Sequence, residues 1–195
     1  MHKTVQNLLN INTQIKSKIS ELKYNNYNPE IIAISKTFSI SHILPLIDEG
    51  HTHFGENKVQ EAIEKWPEIK NKNNNIKLHM VGKLQTNKVK IALKVFDFIH
   101  SLDNIKLAKK ISEEQKKYET KPKIFIQINF ENESQKSGID IESLSDFFTE
   151  CKGLNLDIIG TMCIPPVDKD PSIFFSQMKK INSDDKKISS LLSKL

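Results

Sequence analysis

A lysine directly after an apolar run is the residue of this sequence with the clearest chemical potential. Lys36 follows the segment Ile-Ile-Ala-Ile-Ser at positions 31–35, which predicts a fully buried strand. Parallel α/β proteins place their reactive groups at such strand ends. An amine in a desolvated setting keeps more of its free-base form, which condenses with aldehydes. The pattern predicts a nucleophilic amine at Lys36, with a lysine that simply reaches from a strand end to water as the alternative.

Strand and helix patterns alternate along the chain, and this order predicts the scaffold that positions Lys36. Apolar periodicity predicts helices at 3–23, 40–49, 58–70, 87–96, 103–118, 141–152 and 172–181, and strands at 30–35, 52–54, 77–81, 98–101, 123–129 and 156–161. Repeated strand-helix units are typical of a parallel sheet, either a TIM-type (β/α) barrel or an open doubly wound sheet. The leading helix and the polar residues after several strands favour the barrel.

The length limits how complete this barrel can be. A closed eight-stranded barrel takes about 250 residues, whereas this chain has 195. We therefore expect an α/β fold with about six strands, in which the last two strand-helix units are missing. The barrel domain is expected at 1–182, followed by an atypical lysine- and serine-rich tail at 183–195.

Other polar side chains follow the predicted strands and are expected at the same edge of the sheet. Asn57 offers a donor and an acceptor to a ring hydroxyl or imine, and Gly55 and Gly82 allow close approach of a flat ligand. A polar loop at 132–138 carries a lysine, a serine and a glycine that can attract an anion, but no nucleotide-binding glycine motif occurs.

Composition excludes several classes of function. All 29 basic residues are lysines, so no arginine fork is present to clamp a phosphate or carboxylate. The net charge of +5 arises from lysines interleaved with 24 acidic residues, which argues against a nucleic-acid partner. Two cysteines without metal-ligand spacing predict no disulfide framework. No apolar run approaches the length of a membrane span, and we expect a cytoplasmic monomer.

Taken in order, six segments closely resemble the pyridoxal-phosphate homeostasis protein family, which is related to the N-terminal barrel of alanine racemase. They are apolar-Ser-Lys at 31–36, Phe-Gly-Glu-Asn at 54–57, His-x-x-Gly-x-Leu-Gln-x-Asn-Lys at 79–88, Ser-x-Asp at 101–103, Lys-Ser-Gly at 136–138 and Gly-x-Met-x-x-Pro at 160–165. The resemblance covers residues 3–166.

The resemblance implies a site and a role. Lys36 would hold pyridoxal 5′-phosphate as an imine, with Asn57 and His79 near the cofactor. Lys136 would be an accessory lysine that engages the phosphate, and Met162 would help to wall the pocket. The family resemblance implies a carrier and buffer of the cofactor in intracellular vitamin B6 homeostasis, without catalytic turnover.

The sequence departs from this family after about residue 176. The serines, threonine and arginine that bind the phosphate and the pyridine nitrogen in the family have no counterparts here. A truncated copy is therefore expected, and a degraded copy with lost or weak cofactor binding is an alternative.

Two further functions remain open from the residues alone. A racemase-like Schiff-base enzyme would need a second acid or base across the substrate carbon, and the sequence offers no clear partner. A zinc site would use His51 and His53, which point the same way on a strand, with His79 from the neighbouring strand as the third ligand.

Overall fold

The fold is an α/β arrangement of parallel strands joined by helices. The computed structural model describes residues 1–24, 26–130 and 137–184, with side chains described up to residue 181. The strands are β1 (Ala33–Ile34), β2 (His53–Glu56), β3 (Lys77–Met80), β4 (Phe98–Leu102), β5 (Lys123–Gln127) and β6 (Asp157–Met162). The helices are α1 (Lys3–Glu21), α2 (Ile40–Asp48), α3 (Val59–Lys65), α4 (Pro67–Lys72), α5 (Val89–Ala92), α6 (Ile105–Tyr118), α7 (Leu144–Gly153) and α8 (Pro171–Asp184).

The six strands form one parallel sheet in the order β1-β2-β3-β4-β5-β6. Each strand pairs with the next along the chain, which is the strand order of a TIM-type barrel rather than of a doubly wound sheet. Strands β1 and β6 do not pair with each other in the described structure, so the sheet stays open. The prediction of an incomplete barrel with an extra N-terminal helix is confirmed.

The two faces of the sheet have different environments. Toward the helices, Phe54, Leu78 and Ile99 are fully buried with Trp66 in one continuous apolar core. Side chains alternate along a strand, so the residues between them point into the half-open barrel. Those residues include His79 and His100, whose rings stack on phenylalanines of the neighbouring strands.

Three predicted elements differ from the structure. The strand expected at 30–35 is reduced to two residues in β1, because as an edge strand it pairs only with β2. The helix expected at 58–70 is divided at Trp66, since Pro67 lacks an N–H and instead begins α4. The helix expected at 87–96 is a 3-10 turn at Thr86–Lys88 followed by the single turn of α5.

The end of the described chain lies against the sheet. Phe174 of α8 packs edge-on against Phe130, with ring centres 5.8 Å apart, and Met178 contacts the main core. The first two residues of the tail expected at 183–195 belong to α8 instead, and residues 185–195 lie outside the described structure. None of the described helices is long and apolar enough to cross a membrane.

Candidate functional site

Lys36 lies at the carboxyl edge of the sheet, two residues after the end of β1. Its side chain is exposed, and among the described residues no hydrogen bond or ion pair engages its amine. The predicted buried setting is wrong, because β1 is an edge strand and Ile34 is itself 46% exposed. The site therefore presents an accessible, unpaired amine instead of a desolvated one.

The chain just before Lys36 is fixed by a buried polar network. Ser35 is buried, and its Oγ donates to Glu56 Oε1 at 2.8 Å. The same carboxylate oxygen accepts from Lys65 Nζ at 2.9 Å and from Trp66 Nε1 at 3.0 Å. The backbone N–H of Ser35 also pairs with Gly55 O at 2.9 Å. Charge-assisted hydrogen bonds of this kind hold a carboxylate firmly in place, so the base of Lys36 is anchored to β2 and α3.

Asn57 lies beside Lys36 along the same edge. Ile34 pairs with Gly55, so two residues further on Lys36 and Asn57 follow the ends of adjacent strands. Asn57 Oδ1 is buried and has no hydrogen-bond partner among the described residues. Such an unpaired buried oxygen is costly in a finished structure, so this edge has an acceptor available for a ligand.

Gly82 allows the backbone after β3 to approach Asn57 closely. A Cβ at Gly82 would lie 2.3 Å from Asn57 O and 2.8 Å from Asn57 Cα. Both atoms belong to the backbone, so no side-chain movement could relieve the overlap. The absence of a side chain at Gly82 therefore lets the ends of β2 and β3 pack in direct contact, which fixes the backbone of Asn57.

His79 lies deeper than Asn57 and belongs to a chain of three histidines. It pairs with Gly55 in the sheet, two residues before Asn57 and hence about 7 Å below it. His79 Nε2 is 2.9 Å from His53 Nδ1, and His79 Nδ1 is 2.9 Å from His100 Nε2. Both ring nitrogens of His79 are therefore occupied by other histidines.

Two rings of this chain, His79 and His100, are held in their uncharged form. Burial, with the nearby His100 and His53 as further causes, lowers the pKa of His79 to about 3. Burial lowers the pKa of His100 to about 4. A neutral imidazole donates with one nitrogen and accepts with the other, so both bonds are satisfied only if the three rings donate in one direction along the chain.

The zinc site that the sequence left open does not form. His51 Nε2 contacts the backbone oxygen of His53, while the facing nitrogens of His53 and His79 contact each other. Across the described parts of the chain, no group of three or more histidine, cysteine or acidic side chains could hold a metal ion.

A cavity of about 390 Å³ opens beside Gly82 on the β5 and β6 side of this edge. It is lined by Val81, Gly82, Lys83, Gln127, Ile128, Asn129, Phe130, Ser137, Ile164, Pro165, Pro166, Val167 and Phe174. Its size and mostly apolar wall are typical of sites for small molecules. Lys36 and Asn57 do not line it, and they lie on the other side of Gly82.

The remaining predicted residues lie apart from Lys36 or outside the described structure. Met162 is half-buried at the end of β6, where it pairs with Gln127, close to the cavity and far along the sheet from β1. Lys136 lies outside the described residues.

Sequence reasoning missed the residues that hold Lys36 in place. Glu56 is part of the Phe-Gly-Glu-Asn segment, yet no role was predicted for it. Lys65 shows a local signal, since it follows Glu61 at the four-residue spacing of a helical ion pair. His100 gave no signal, because its partners come from two other strands.

Comparison with known proteins agrees with this arrangement. Residues 12–191 match the family profile described as the N-terminal domain of alanine racemase. A parallel barrel-type sheet with a lysine after its first strand is consistent with this class. Alanine racemase of Clostridium difficile 630 shares the fold, with a TM-score of 0.65 at 16% identity over 84% of this chain and 44% of that one.

More similar relatives define the family within this class. The pyridoxal phosphate homeostasis protein of Pasteurella multocida is 34% identical over 84% of this chain and 71% of its own length, and that of Haemophilus influenzae is 35% identical over 84% and 70%. The chain belongs to the pyridoxal phosphate homeostasis protein family. The structure of PipY from Synechococcus elongatus, solved with PLP bound, has a TM-score of 0.75 at 27% identity and covers 90% of this chain and 84% of its own.

Proposed function

We propose that this protein binds pyridoxal 5′-phosphate covalently through Lys36 and serves intracellular vitamin B6 homeostasis without catalytic turnover. The observation that carries the proposal is the accessible amine of Lys36, which has no partner among the described residues, on an anchored segment at the carboxyl edge of the sheet. The relatives named for pyridoxal phosphate homeostasis and the PLP-bound PipY structure support the choice of ligand.

The residues present at this edge fit the cofactor. Lys36 supplies the amine, Gly82 lets the backbone after β3 pack against Asn57, and Asn57 Oδ1 is a buried acceptor without a partner in the described structure. When bound, the cofactor supplies an aldehyde, which condenses with the amine and releases one water. The cavity beside Gly82 offers space for a small molecule next to this edge.

Each of the other predicted residues receives a proposed role from its position. Asn57 accepts a hydrogen bond from the ring substituents of the cofactor. His79 supports the floor below Asn57, because both of its ring nitrogens are already engaged. Met162 borders the cavity side of the pocket, and Lys136 engages the phosphate as the resemblance implies.

The same proposal includes the absence of catalytic turnover, the oligomeric state of the protein and its location in the cell. Abstraction of a proton from a bound amino acid requires a positioned acid or base, and the naming of the relatives as homeostasis proteins supports a role without turnover. We propose a monomer that acts in the cytoplasm. Sedimentation of the purified protein tests the monomer, and an assay for racemisation of amino acids tests the absence of turnover.

Absorbance titration tests the proposed binding directly. Addition of pyridoxal 5′-phosphate to the purified protein is expected to produce a saturable visible band with one site per chain. Lys36→Arg keeps the positive charge but cannot form the imine, so the band is expected to disappear. Lys58→Arg removes a neighbouring exposed lysine and should leave the band unchanged. Equal loss in both variants, or no band at saturating cofactor, would overturn the proposal.

A further inference from the structure

Thr37, the residue after Lys36, adopts a backbone conformation that its side chain disfavours. Its φ is +66°, and for a β-branched residue this is an outlier that persists only when the surroundings enforce it. Its backbone N–H donates to Glu61 Oε1 of α3 at 2.6 Å. The turn that carries Lys36 is therefore held from its far side as well as from Ser35.

One side chain connects the two anchors of this turn. Lys65 Nζ donates to Glu61 Oε1 at 2.7 Å, to Glu56 Oε1 at 2.9 Å and to the backbone oxygen of Ser35 at 3.0 Å. An ammonium group has three donors, so all of them are used. The side chain of Lys65 is only 9% exposed, which excludes it as a second amine for a ligand.

We propose that Glu56, Glu61 and Lys65 form a clamp that fixes the backbone on both sides of Lys36 and so positions its amine for the cofactor. The inference rests on the proposed function. Lys65 acts on Ser35 directly and on Thr37 through Glu61, and Glu56 holds the Ser35 hydroxyl. Their hydrogen bonds run to Ser35, to Thr37 and to one another, so the three are positioning residues in this proposal.

The electrostatics of the clamp support this arrangement. The hydrogen bond from Lys65, together with the one from Thr37, holds the pKa of Glu61 below its usual value. Glu61 is therefore ionised at neutral pH, where it accepts from both groups. Within its own segment the turn has two further hydrogen bonds, from Thr37 Oγ1 to Lys36 O at 2.6 Å and from Phe38 N to Ser35 O at 3.2 Å.

A matched pair of lysine variants tests the clamp. Lys65→Met removes the three donors and keeps a long side chain. Lys70→Met is the control, because Lys70 also ties a helix to the sheet, through Asp97 Oδ2 at 2.7 Å and Val95 O at 2.9 Å, but at the opposite end of the strands. Both variants should lose stability, which separates the effect on folding from the effect on the site.

Two measurements are made on the full chain. Without cofactor, amide hydrogen exchange at Thr37 is expected to accelerate about tenfold or more in Lys65→Met, as for loss of a hydrogen bond to a charged group, and to stay unchanged in Lys70→Met. With pyridoxal 5′-phosphate, the Kd is expected to rise about tenfold in Lys65→Met and to change less than about twofold in Lys70→Met.

The outcomes separate this inference from the proposed function. A folded Lys65→Met protein with unchanged Thr37 exchange and unchanged Kd overturns the clamp and leaves cofactor binding intact. If the unsubstituted protein forms no adduct, the proposed function fails, and Thr37 exchange still tests the clamp itself. Should Lys65→Met fail to fold, Glu61→Ala, at the more exposed end of the network, removes the acceptor of the Thr37 N–H and is expected to give the same pair of effects.

Discussion

At the scale of single residues, the site combines one free amine with one enforced close contact. The amine of Lys36 is unpaired among the described groups, while that of Lys65 makes three hydrogen bonds. Two lysines in the same region thus differ: the amine of Lys65 is fixed by its hydrogen bonds, whereas that of Lys36 has no such bonds in the described structure. Residue type alone could not have distinguished them in a chain with 29 lysines.

The contact at Gly82 leads to a stability prediction. Gly82→Ala places a methyl group against the backbone of Asn57, so the free energy of unfolding is expected to fall by about 2 to 3 kcal/mol. Gly153→Ala is the control, because a Cβ there meets nothing within 4 Å. Urea unfolding of both variants checks the expectation, and equal stability of the two would show that the ends of β2 and β3 are not in contact.

Residue patterns in the sequence predicted part of this site. Lys36, Asn57 and Gly82 lie at one edge because consecutive parallel strands end together, and that order is readable from the chain. The setting of Lys36 was not readable, since exposure depends on whether β1 has a second neighbour. Glu56 and Lys65 meet Ser35 only after β1 and β2 pair, which local patterns do not describe.

At the scale of elements, strands β2, β3 and β4 each contribute one histidine to the interior chain. His79 and His100 have pKa values lowered to about 3 and about 4, whereas in an unfolded chain a histidine titrates at about 6.5. The unfolded state therefore binds protons first as the pH falls. The contribution of these two histidines to stability is present above about pH 6.5. It is lost progressively as the pH falls toward the pKa values of the folded state.

This linkage gives a measurable pH dependence. Between about pH 7 and about pH 5 the two histidines are expected to lower the free energy of unfolding by about 4 kcal/mol. His100→Gln removes one titrating ring and should reduce that slope by nearly half, while His42→Gln, at an exposed position, should leave it unchanged. Denaturant unfolding at several pH values provides the slopes, and a flat profile for the unsubstituted protein would contradict a neutral histidine chain.

Helix and strand order was predicted well, and element boundaries were predicted less well. Apolar periodicity located every strand because each one contributes to a single core. The division at Trp66 has a local cause in Pro67 that the sequence displays. No comparable breaker stands after Ala92, so the sequence did not predict that α5 is a single turn.

At the scale of the whole molecule, the six-stranded sheet leaves β1 and β6 with one neighbour each in the described structure. The segment that carries Lys36 therefore depends on β2 and α3 for its position. Occupation of the site should stabilise the folded protein as a whole, because the ligand binds the native state and not the unfolded chain.

Addition of the cofactor is therefore expected to raise the melting temperature of the protein. At roughly a hundred times the Kd, pyridoxal 5′-phosphate is expected to raise the Tm by about 5 to 10 °C. Pyridoxal, which lacks the phosphate, should raise it less if phosphate contacts contribute. Lys36→Arg should show little shift with either compound, and a shift equal to that of the unsubstituted protein would place the binding elsewhere.

The location of the covalent adduct is the strongest test of whether Lys36 binds the cofactor. Protein mixed with pyridoxal 5′-phosphate is reduced with borohydride, digested and mapped by mass spectrometry. We expect one modification per chain, on Lys36, and none on Lys65. Modification spread over the exposed lysines with no preference for Lys36, or no modification at all, would contradict it.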